Sequence, residues 1–347
     1  MSEERSLMVF RANRVVNTLL IVAVMTLCCR GALAMDISYS GVIDAEYRRS
    51  GGWGGTGTTG DFTIPNAAST IKTEIEKDVV ATIDILYEED ETPLGVDSIF
   101  LTIKHSIFTL TLGRFYIPFG TFETNMISDP LTLELGETSE SGLMLSYGRG
   151  PLDLSIFVFN GDIKAAAGTD RVNQYGIAAS YDYKTERDLQ MTVAASYLNN
   201  IADSDGLTTV ATVANGIGNY VPGYNLSLKS TLENYGLFLE YISATTAFHS
   251  SNLSTGATPA AGATPSALNL EVFMTLQDFT LSAAIQNSSE AMALNFAENR
   301  ILLGLSHLYR DKITISCEYM LESDYEVAVG GTGENKNTIT FQLTTEF

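Results

Sequence analysis

Apolar and polar residues alternate with a period of two along almost the whole chain, and this pattern restricts the fold more than any other feature. Near the C-terminal end, Ile339, Phe341, Leu343 and Phe347 share one face, whereas the other face carries Thr, Gln and Glu. Successive side chains of a strand point to opposite sides, so such a segment is apolar on one side and wet on the other. The alternation recurs from Ile37 onward in about sixteen segments, each near the ~10 residues that a tilted membrane-spanning strand needs.

The connections between the predicted strands are alternately long and short. Segments 50–68, 117–139 and 200–219 are long, whereas 105–106 and 277–278 are tight turns. Long loops on one rim and short turns on the other are typical of outer-membrane barrels, and a soluble sandwich has no reason to keep this order. The sequence therefore predicts an all-β fold: a transmembrane antiparallel β-barrel with porin-like architecture and about 16 strands, within a range of roughly 14 to 18.

A barrel of this size predicts a polar lumen. Its interior is too wide for side chains to fill, so the polar face should line the lumen and the apolar face should meet lipid. The charged residues predicted to face the lumen include Asp44, Glu46, Arg48, Lys72, Glu74, Asp84, Glu240, Glu271 and Glu318. Because carboxylates outnumber basic groups, this lining favours cations. The alternative is that scattered charges only solvate the wall.

Residues 1–34 have the organisation of a secretory signal peptide. Basic residues precede a short apolar run, which ends in the Ala-x-Ala cleavage signal at 32–34. An uncleaved anchor helix is the alternative, but the run falls short of the about 20 residues that a spanning helix needs. We therefore expect a mature chain that starts near Met35 and forms a single outer-membrane β-barrel domain over residues 35–347.

Charge and cysteine content restrict the function. Of 20 basic and 41 acidic residues, four and two lie in the predicted signal peptide, so residues 35–347 carry 16 basic and 39 acidic residues, a net charge of −23. Such a chain is not expected to bind nucleic acid. Beyond the signal peptide only Cys317 remains, which excludes an intramolecular disulfide and a cysteine metal cluster. We predict no metal site and no cofactor.

An enzyme is a remote alternative. The histidines are His105, His249 and His307, and none is placed with a convincing catalytic partner. A structural or adhesive barrel is a second remote alternative, which an absence of conductance would favour.

One long connection, residues 117–139, has a sequence of its own. It carries prolines, glycines and the four carboxylates Glu123, Asp129, Glu134 and Glu137. A loop with so many Phe, Leu and Met residues needs to bury them, and folding into the lumen would make it the constriction of a pore. The alternative is a rim loop packed by its own apolar residues, with no role in selectivity.

The same region resembles the LbtU-type siderophore porin family. The similar segments are Leu86–Asp90, Gly113–Gly120, Phe122–Glu137 and Val158–Asp162. The resemblance implies a channel in the outer membrane of a Gram-negative bacterium that lets a ferric siderophore through for iron uptake. A general or cation-preferring diffusion porin is the alternative reading.

The expected partners follow from this interpretation. They are outer-membrane lipid and a small-molecule solute, with a ferric siderophore as one candidate, and a homotrimer is compatible with the porin resemblance. The C-terminal aromatic Phe347 resembles the signal that the barrel-assembly machinery reads. We also expect the last strand to pair with the first, because an open edge would leave backbone groups unpaired in lipid.

Overall fold

The structure, a computed structural model, is a closed antiparallel β-barrel. It describes residues 36–164, 172–186, 188–208, 217–256 and 262–347. The predicted signal peptide, residues 1–34, falls outside this part of the chain. Within the described ranges the barrel has sixteen strands, each paired with its neighbours in sequence, and β1 pairs with β16. No helix in these ranges is long and apolar enough to cross a membrane.

The strand bounds are as follows. They are β1 Ile37–Gly51, β2 Thr58–Glu76, β3 Val79–Glu88, β4 Thr92–His105, β5 Phe108–Tyr116, β6 Ser139–Arg149, β7 Leu152–Phe159 and β8 Gln174–Lys184. The second half has β9 Leu189–Leu198, β10 Gly223–Leu232, β11 Tyr235–Ala244, β12 Ser266–Leu276, β13 Phe279–Ser289, β14 Asn299–Arg310, β15 Ile313–Ser323 and β16 Asn335–Glu346. The predicted fold class and strand number are confirmed.

The barrel closes between its first and last strands. The register of β1 on β16 runs from Val42 opposite Glu346 to Ser50 opposite Thr338. Beyond β16, Phe347 and Gly41 exchange two backbone hydrogen bonds of 3.0 Å each. The closed sheet leaves neither terminal strand with an unpaired edge, as lipid requires.

The outer face of the strands is apolar and exposed, whereas the inner face of the same strands is buried. On β16, Phe341 is 51% exposed, whereas Thr340 beside it is 1% exposed. A soluble domain has the opposite arrangement, with the apolar face inside. The exposed apolar faces therefore form the surface that meets lipid.

The first hairpin is longer than the sequence pattern predicts. The connection predicted at 50–68 is mostly strand, because β1 continues to Gly51 and β2 begins at Thr58. Thr58 lies opposite Gly51 in the register, so the Gly- and Thr-rich stretch extends the ladder. Threonine favours extended backbone, which explains why polar residues continue this strand.

The interior is divided into two halves. The filled half is the inner face of β5–β12, where buried apolar side chains pack against inward-folded loops. Its strand residues include Phe115, Phe157, Phe159, Leu198 and Ile242, and its loop residues include Phe119, Leu131, Leu135, Ile201, Leu207 and Phe248. The prediction that the polar face alone lines the interior is wrong for this half. The loops cover the apolar residues here, so the interior packs like the core of a soluble domain.

Candidate pore constriction

The connection between β5 and β6, residues 117–138, crosses the lumen and is here called the strap. Its two ends are tied together, because the Ile117 N–H donates to the Thr138 carbonyl at 2.8 Å. Between them the strap contains a short helix, α1, at Leu131–Gly136. Its middle part contacts side chains that point inward from β11 to β15. The connection is therefore an element of the lumen and not of the rim.

Two glycines determine how the strap enters the lumen. Phe122 has a φ of 52°, a left-handed conformation that bulky residues rarely adopt. A Cβ on Gly120 would lie 2.3 Å from its ring, and a Cβ on Gly136 would lie 3.3 Å from the ring and 2.4 Å from Ile242 Cδ1. The absence of side chains at Gly120 and Gly136 therefore gives the ring of Phe122 its place.

The filled half supports the strap from one side. Phe119, Leu131 and Leu135 are fully buried in its apolar core. The short helix α2, Asp205–Thr208, comes down from the connection between β9 and β10, and the Asp205 N–H donates to the Glu137 carbonyl at 3.0 Å. The apolar residues that distinguish this connection in the sequence are thus buried in the core, and their burial holds the strap inside the lumen.

A cavity of about 760 Å³ separates the strap from the opposite wall. That wall, the inner face of β1–β4 with β16, is here called the open half. The carboxylates that line the cavity among the described residues are Asp44, Glu46, Asp84, Glu88, Glu91, Asp97, Asp129, Glu134 and Glu137. The guanidinium groups that line it are those of Arg48 and Arg300. Negative groups therefore face each other across the passage.

Both guanidinium groups are paired with carboxylates. Arg48 Nε lies 2.9 Å from Glu46 Oε1. Arg300 Nη1 lies 2.8 Å from Glu134 Oε1 on the strap, and its Nε lies 3.0 Å from Glu322 Oε1 on the wall. Their positive charge is balanced locally, so it offsets little of the field of the remaining carboxylates.

Two carboxylates of the open half are held by the neighbouring strands. Asp44 accepts a hydrogen bond from Asn66 Nδ2 at 3.0 Å. Asp84 accepts one from Thr70 Oγ1 at 2.6 Å and another from Ser98 Oγ. Neutral hydroxyl and amide donors orient these groups without cancelling their charge, so the wall of the passage is negative and ordered.

Three of the four predicted strap carboxylates line the cavity. Asp129, Glu134 and Glu137 do, whereas Glu123 lies elsewhere and pairs with Lys229, with 2.7 Å between Oε1 and Nζ. Spacing along an irregular loop does not reveal which side chains share a side, so the sequence could not separate Glu123 from the others.

The predicted wall charges fall into three groups. Asp44, Glu46, Arg48 and Asp84 line the cavity. Glu240, Glu271 and Glu318 face inward but accept hydrogen bonds from the strap. Lys72 and Glu74 share the inner face with Ser38 and Thr82 toward the turn between β2 and β3, outside the cavity lining.

Three lining carboxylates were missing from the sequence-based set. Glu88 and Glu91 lie at the turn after β3, and Glu88 was singled out, within the run Leu86–Asp90, only for the family resemblance. Asp97 lies where the register of β3 on β4 shifts between Asp84 and Ile85. A bulge breaks the two-residue period, so alternation cannot assign a side to Asp97.

Two strap carboxyls have raised pKa values. Burial, reinforced by Glu134, raises the pKa of Asp129 to about 6. Burial, reinforced by Asp205 and Asp129, raises the pKa of Glu137 to about 7. Both groups therefore change charge close to neutral pH, since crowding of carboxylates in a partly dehydrated site disfavours their charged forms.

Comparison with protein families gives one match that covers nearly the whole chain. A family model described as Gram-negative porin matches residues 20–344. Among individual proteins, the UPF0422 protein of Legionella pneumophila strain Paris is 25% identical over 353 residues, covering 88% of this chain and 66% of the relative. A UPF0422 protein of Coxiella burnetii is 23% identical over 237 residues, covering 66% of this chain and 50% of the relative. The chain thus spans about two thirds of the length of the Legionella relative.

Solved structures with a similar fold include a porin and an outer membrane channel. An anion-selective porin from Comamonas acidovorans superposes with a TM-score of 0.64 at 10% identity, covering 90% of this chain and 100% of that one. The outer membrane channel DcaP of Acinetobacter baumannii gives a TM-score of 0.62 at 13% identity, covering 91% and 99%. At these identities the likeness concerns the fold alone. Family match and fold together indicate a channel and not an enzyme.

Proposed function

The chain belongs to the Gram-negative porin family, and from this premise we propose that its outer-membrane channel favours cations and neutral solutes over anions. The excess of carboxylates around the cavity between strap and open half supports this proposal. Both sides of the passage are negative, and Arg48 and Arg300 are each paired with a carboxylate. In a narrow, partly dehydrated passage such charges act more strongly than they do in bulk water.

Reversal potentials in planar bilayers test this proposal. With a KCl gradient across the membrane, the purified channel should show cation selectivity, and the preference should grow at low salt, where screening is weak. Anion selectivity of the parent protein would contradict the proposal. Liposome swelling with solutes of equal size and different charge gives an independent reading.

Passage of a ferric siderophore is the second candidate function. It is favoured by the position of the segments that resemble LbtU-type siderophore porins, because Gly113–Gly120 leads into the strap and Phe122–Glu137 forms most of it. The negative lining favours ferric complexes that are neutral or positively charged. Anionic complexes would be repelled.

A charge series of ferric complexes separates the two candidates. Iron uptake by cells with and without the channel should be compared for complexes of similar size that are cationic, neutral or anionic. A siderophore channel should increase uptake of one complex far beyond inert solutes of the same size and charge. Equal gains for complexes and inert solutes would leave the cation-preferring diffusion porin as the function.

The remaining assignments concern processing and assembly. We propose that residues 1–34 are a signal peptide, that residues 35–347 are the single barrel domain, that the channel assembles as a homotrimer, and that Phe347 guides insertion by the barrel-assembly machinery. The backbone of Phe347 also pairs with Gly41. The variant Phe347→Ala keeps that pairing and removes only the ring, so a loss of heat-modifiable protein in the outer membrane would support recognition of the ring. Unchanged levels would contradict it.

A further inference from the structure

Three carboxylates on the inner wall are buried under the strap. Glu240, Glu271 and Glu318 are 3%, 0% and 1% exposed. Within the part of the chain that the structure describes, none of them takes part in an ion pair. A buried carboxylate without a counter-charge needs several hydrogen-bond donors, so the donors around these three reveal what they do.

The donors all come from the wall or from the strap, and the strap supplies most of them. Glu240 accepts from the backbone N–H groups of Thr121 at 2.7 Å and Phe122 at 3.1 Å, one on each oxygen. The Thr132 hydroxyl adds a bond of 2.9 Å. The first carboxylate thus holds both the beginning of the strap and its helix α1.

The same arrangement recurs three and six residues further along the strap. Glu271 accepts from Asn125 N at 2.9 Å and from the Thr124 hydroxyl at 2.7 Å. Glu318 accepts from the backbone N–H groups of Ile127 at 2.7 Å and Ser128 at 3.1 Å. The Ser128 hydroxyl adds 2.6 Å. Every third residue along this part of the strap, a different wall carboxylate therefore accepts its hydrogen bonds.

This pattern satisfies two requirements at once. An irregular segment inside a barrel has backbone N–H groups that neither a sheet nor a helix accepts, and they need acceptors. The carboxylates are such acceptors, and hydrogen bonds to ionised groups are the stronger kind. The donors in turn compensate the negative charge, which lies against the strap and outside the cavity lining.

We propose that Glu240, Glu271 and Glu318 are positioning residues, which fix the distance of the strap from the open half and so determine the cross-section of the pore. Their charge is compensated by the strap, and ion selectivity comes from the cavity-lining carboxylates instead. The proposal rests on the proposed function in one respect, that the strap is the constriction. It concerns the position of the strap and not the sign of the permeating ion.

Replacement of each carboxylate by its isosteric amide should have unequal effects. In Glu240→Gln, the amide nitrogen meets a backbone N–H whichever way it is turned, because each oxygen of Glu240 accepts one. In Glu271→Gln or Glu318→Gln, the amide nitrogen can donate to the Thr124 or Ser128 hydroxyl, and the other oxygen keeps its N–H partners. Glu240→Gln should therefore displace the strap most.

The three single variants are compared with a matched control. Glu240→Gln, Glu271→Gln and Glu318→Gln each replace a carboxylate that accepts hydrogen bonds from the strap. Glu74→Gln changes a carboxylate outside the cavity lining. All four variants remove one negative charge, so a difference between them reports on the strap and not on net charge.

Single-channel recording of the purified variants is the test. In Glu240→Gln, the time spent at altered conductance levels should rise on the order of tenfold over the parent, as expected when hydrogen bonds to charged groups are lost. The rise should be smaller in Glu271→Gln and Glu318→Gln, and Glu74→Gln should behave like the parent. A Glu240→Gln channel whose conductance and noise match those of Glu74→Gln would overturn the proposal. A parent channel that selects anions would instead contradict the proposed function and leave this comparison valid.

Discussion

The filled half and the open half of the barrel interior are built by the same strand alternation and differ in what the inward-pointing residues are. On β7 the inward residues include Phe157 and Phe159, which are buried under loops. On β1 they include Asp44 and Glu46, which line the cavity. The apolar wall of the filled half therefore packs against loops that fold into the lumen, and the charged wall of the open half lines the passage.

This difference shows how a wide barrel becomes a narrow channel. Burial of apolar side chains on one side stabilises the inward fold of the connections, at roughly 1.5–3 kcal/mol for each large side chain. The strap lies at the boundary, with Phe119 and Leu131 in the core and Asp129 and Glu134 in the cavity. Packing and passage are thus assigned to different residues, which can be changed separately.

The largest expected effect is on the filled half. Phe119→Ala removes a fully buried ring at the start of the strap and should lower the free energy of unfolding by about 3–5 kcal/mol. Urea unfolding and heat-modifiability on gels measure this loss. Phe62→Ala is the matched control, since Phe62 is 78% exposed on the outer side and should change stability little. Equal losses in both variants would contradict the idea of a packed half.

A somewhat smaller effect is expected where the strap enters the lumen. Gly120 has a φ of +116°, and an added Cβ would meet the Phe122 ring at 2.3 Å. Gly120→Ala should therefore cost about 1–3 kcal/mol in unfolding experiments and displace the ring. Gly150→Ala is a control for the backbone alone, because Gly150 also has a positive φ of +63° but nothing within 4 Å of its Cβ position. An equal cost at both sites would show that the fit of Phe122 contributes nothing.

The open half should respond in selectivity and not in stability. Glu134→Gln removes a cavity carboxylate and leaves Arg300 with one carboxylate fewer. The cation-to-anion permeability ratio should fall about two- to fivefold, the effect of roughly 0.5–1 kcal/mol per charge in a partly hydrated passage. Glu123→Gln is the control on the same strap, because Glu123 lies outside the cavity lining. Equal changes in both variants would break the distinction between these positions.

The last expected effect, which needs no substitution, is a dependence on pH. The pKa values of about 6 for Asp129 and about 7 for Glu137 are raised, so these groups lose their charge as pH falls from above 7 to below 6. Cation preference should therefore decrease over this range, by about two- to fivefold for each full charge lost. In the double variant Asp129→Asn with Glu137→Gln, the change in reversal potential over the same range should be smaller than in the parent. A parent channel without this pH dependence would contradict the assignment.

Much of the fold could be predicted because alternation with a period of two is a direct consequence of strand geometry. It gave the barrel, the strand number and the inward direction of Asp44, Glu240 and Glu318. It could not tell a lumen charge that faces solvent from one that a loop covers, because that depends on which connection folds inward. Asp97 was missed for a related reason, since the bulge beside it interrupts the period.

The strap was recognisable from its composition, and its internal arrangement was not. Phe119 and Leu131 indicated that the connection must be buried, which the structure bears out. The sequence gives no signal for the left-handed Phe122 or for the separation of Glu123 from Glu134. Both depend on glycines and wall residues that are distant in sequence, such as Gly136 and Ile242.

A comparison of one cysteine in each half locates the path of the ions most directly. In a Cys317→Ser background, Gln342→Cys places a thiol in the cavity lining of the open half, and Ala267→Cys places one in the core of the filled half. A positively charged thiol reagent is then added to inserted single channels. We expect a lower unitary current and weaker cation preference for the cysteine at 342, and no change at 267. Loss of current at 267, or none at 342, would show that ions take a path through the half that the structure fills.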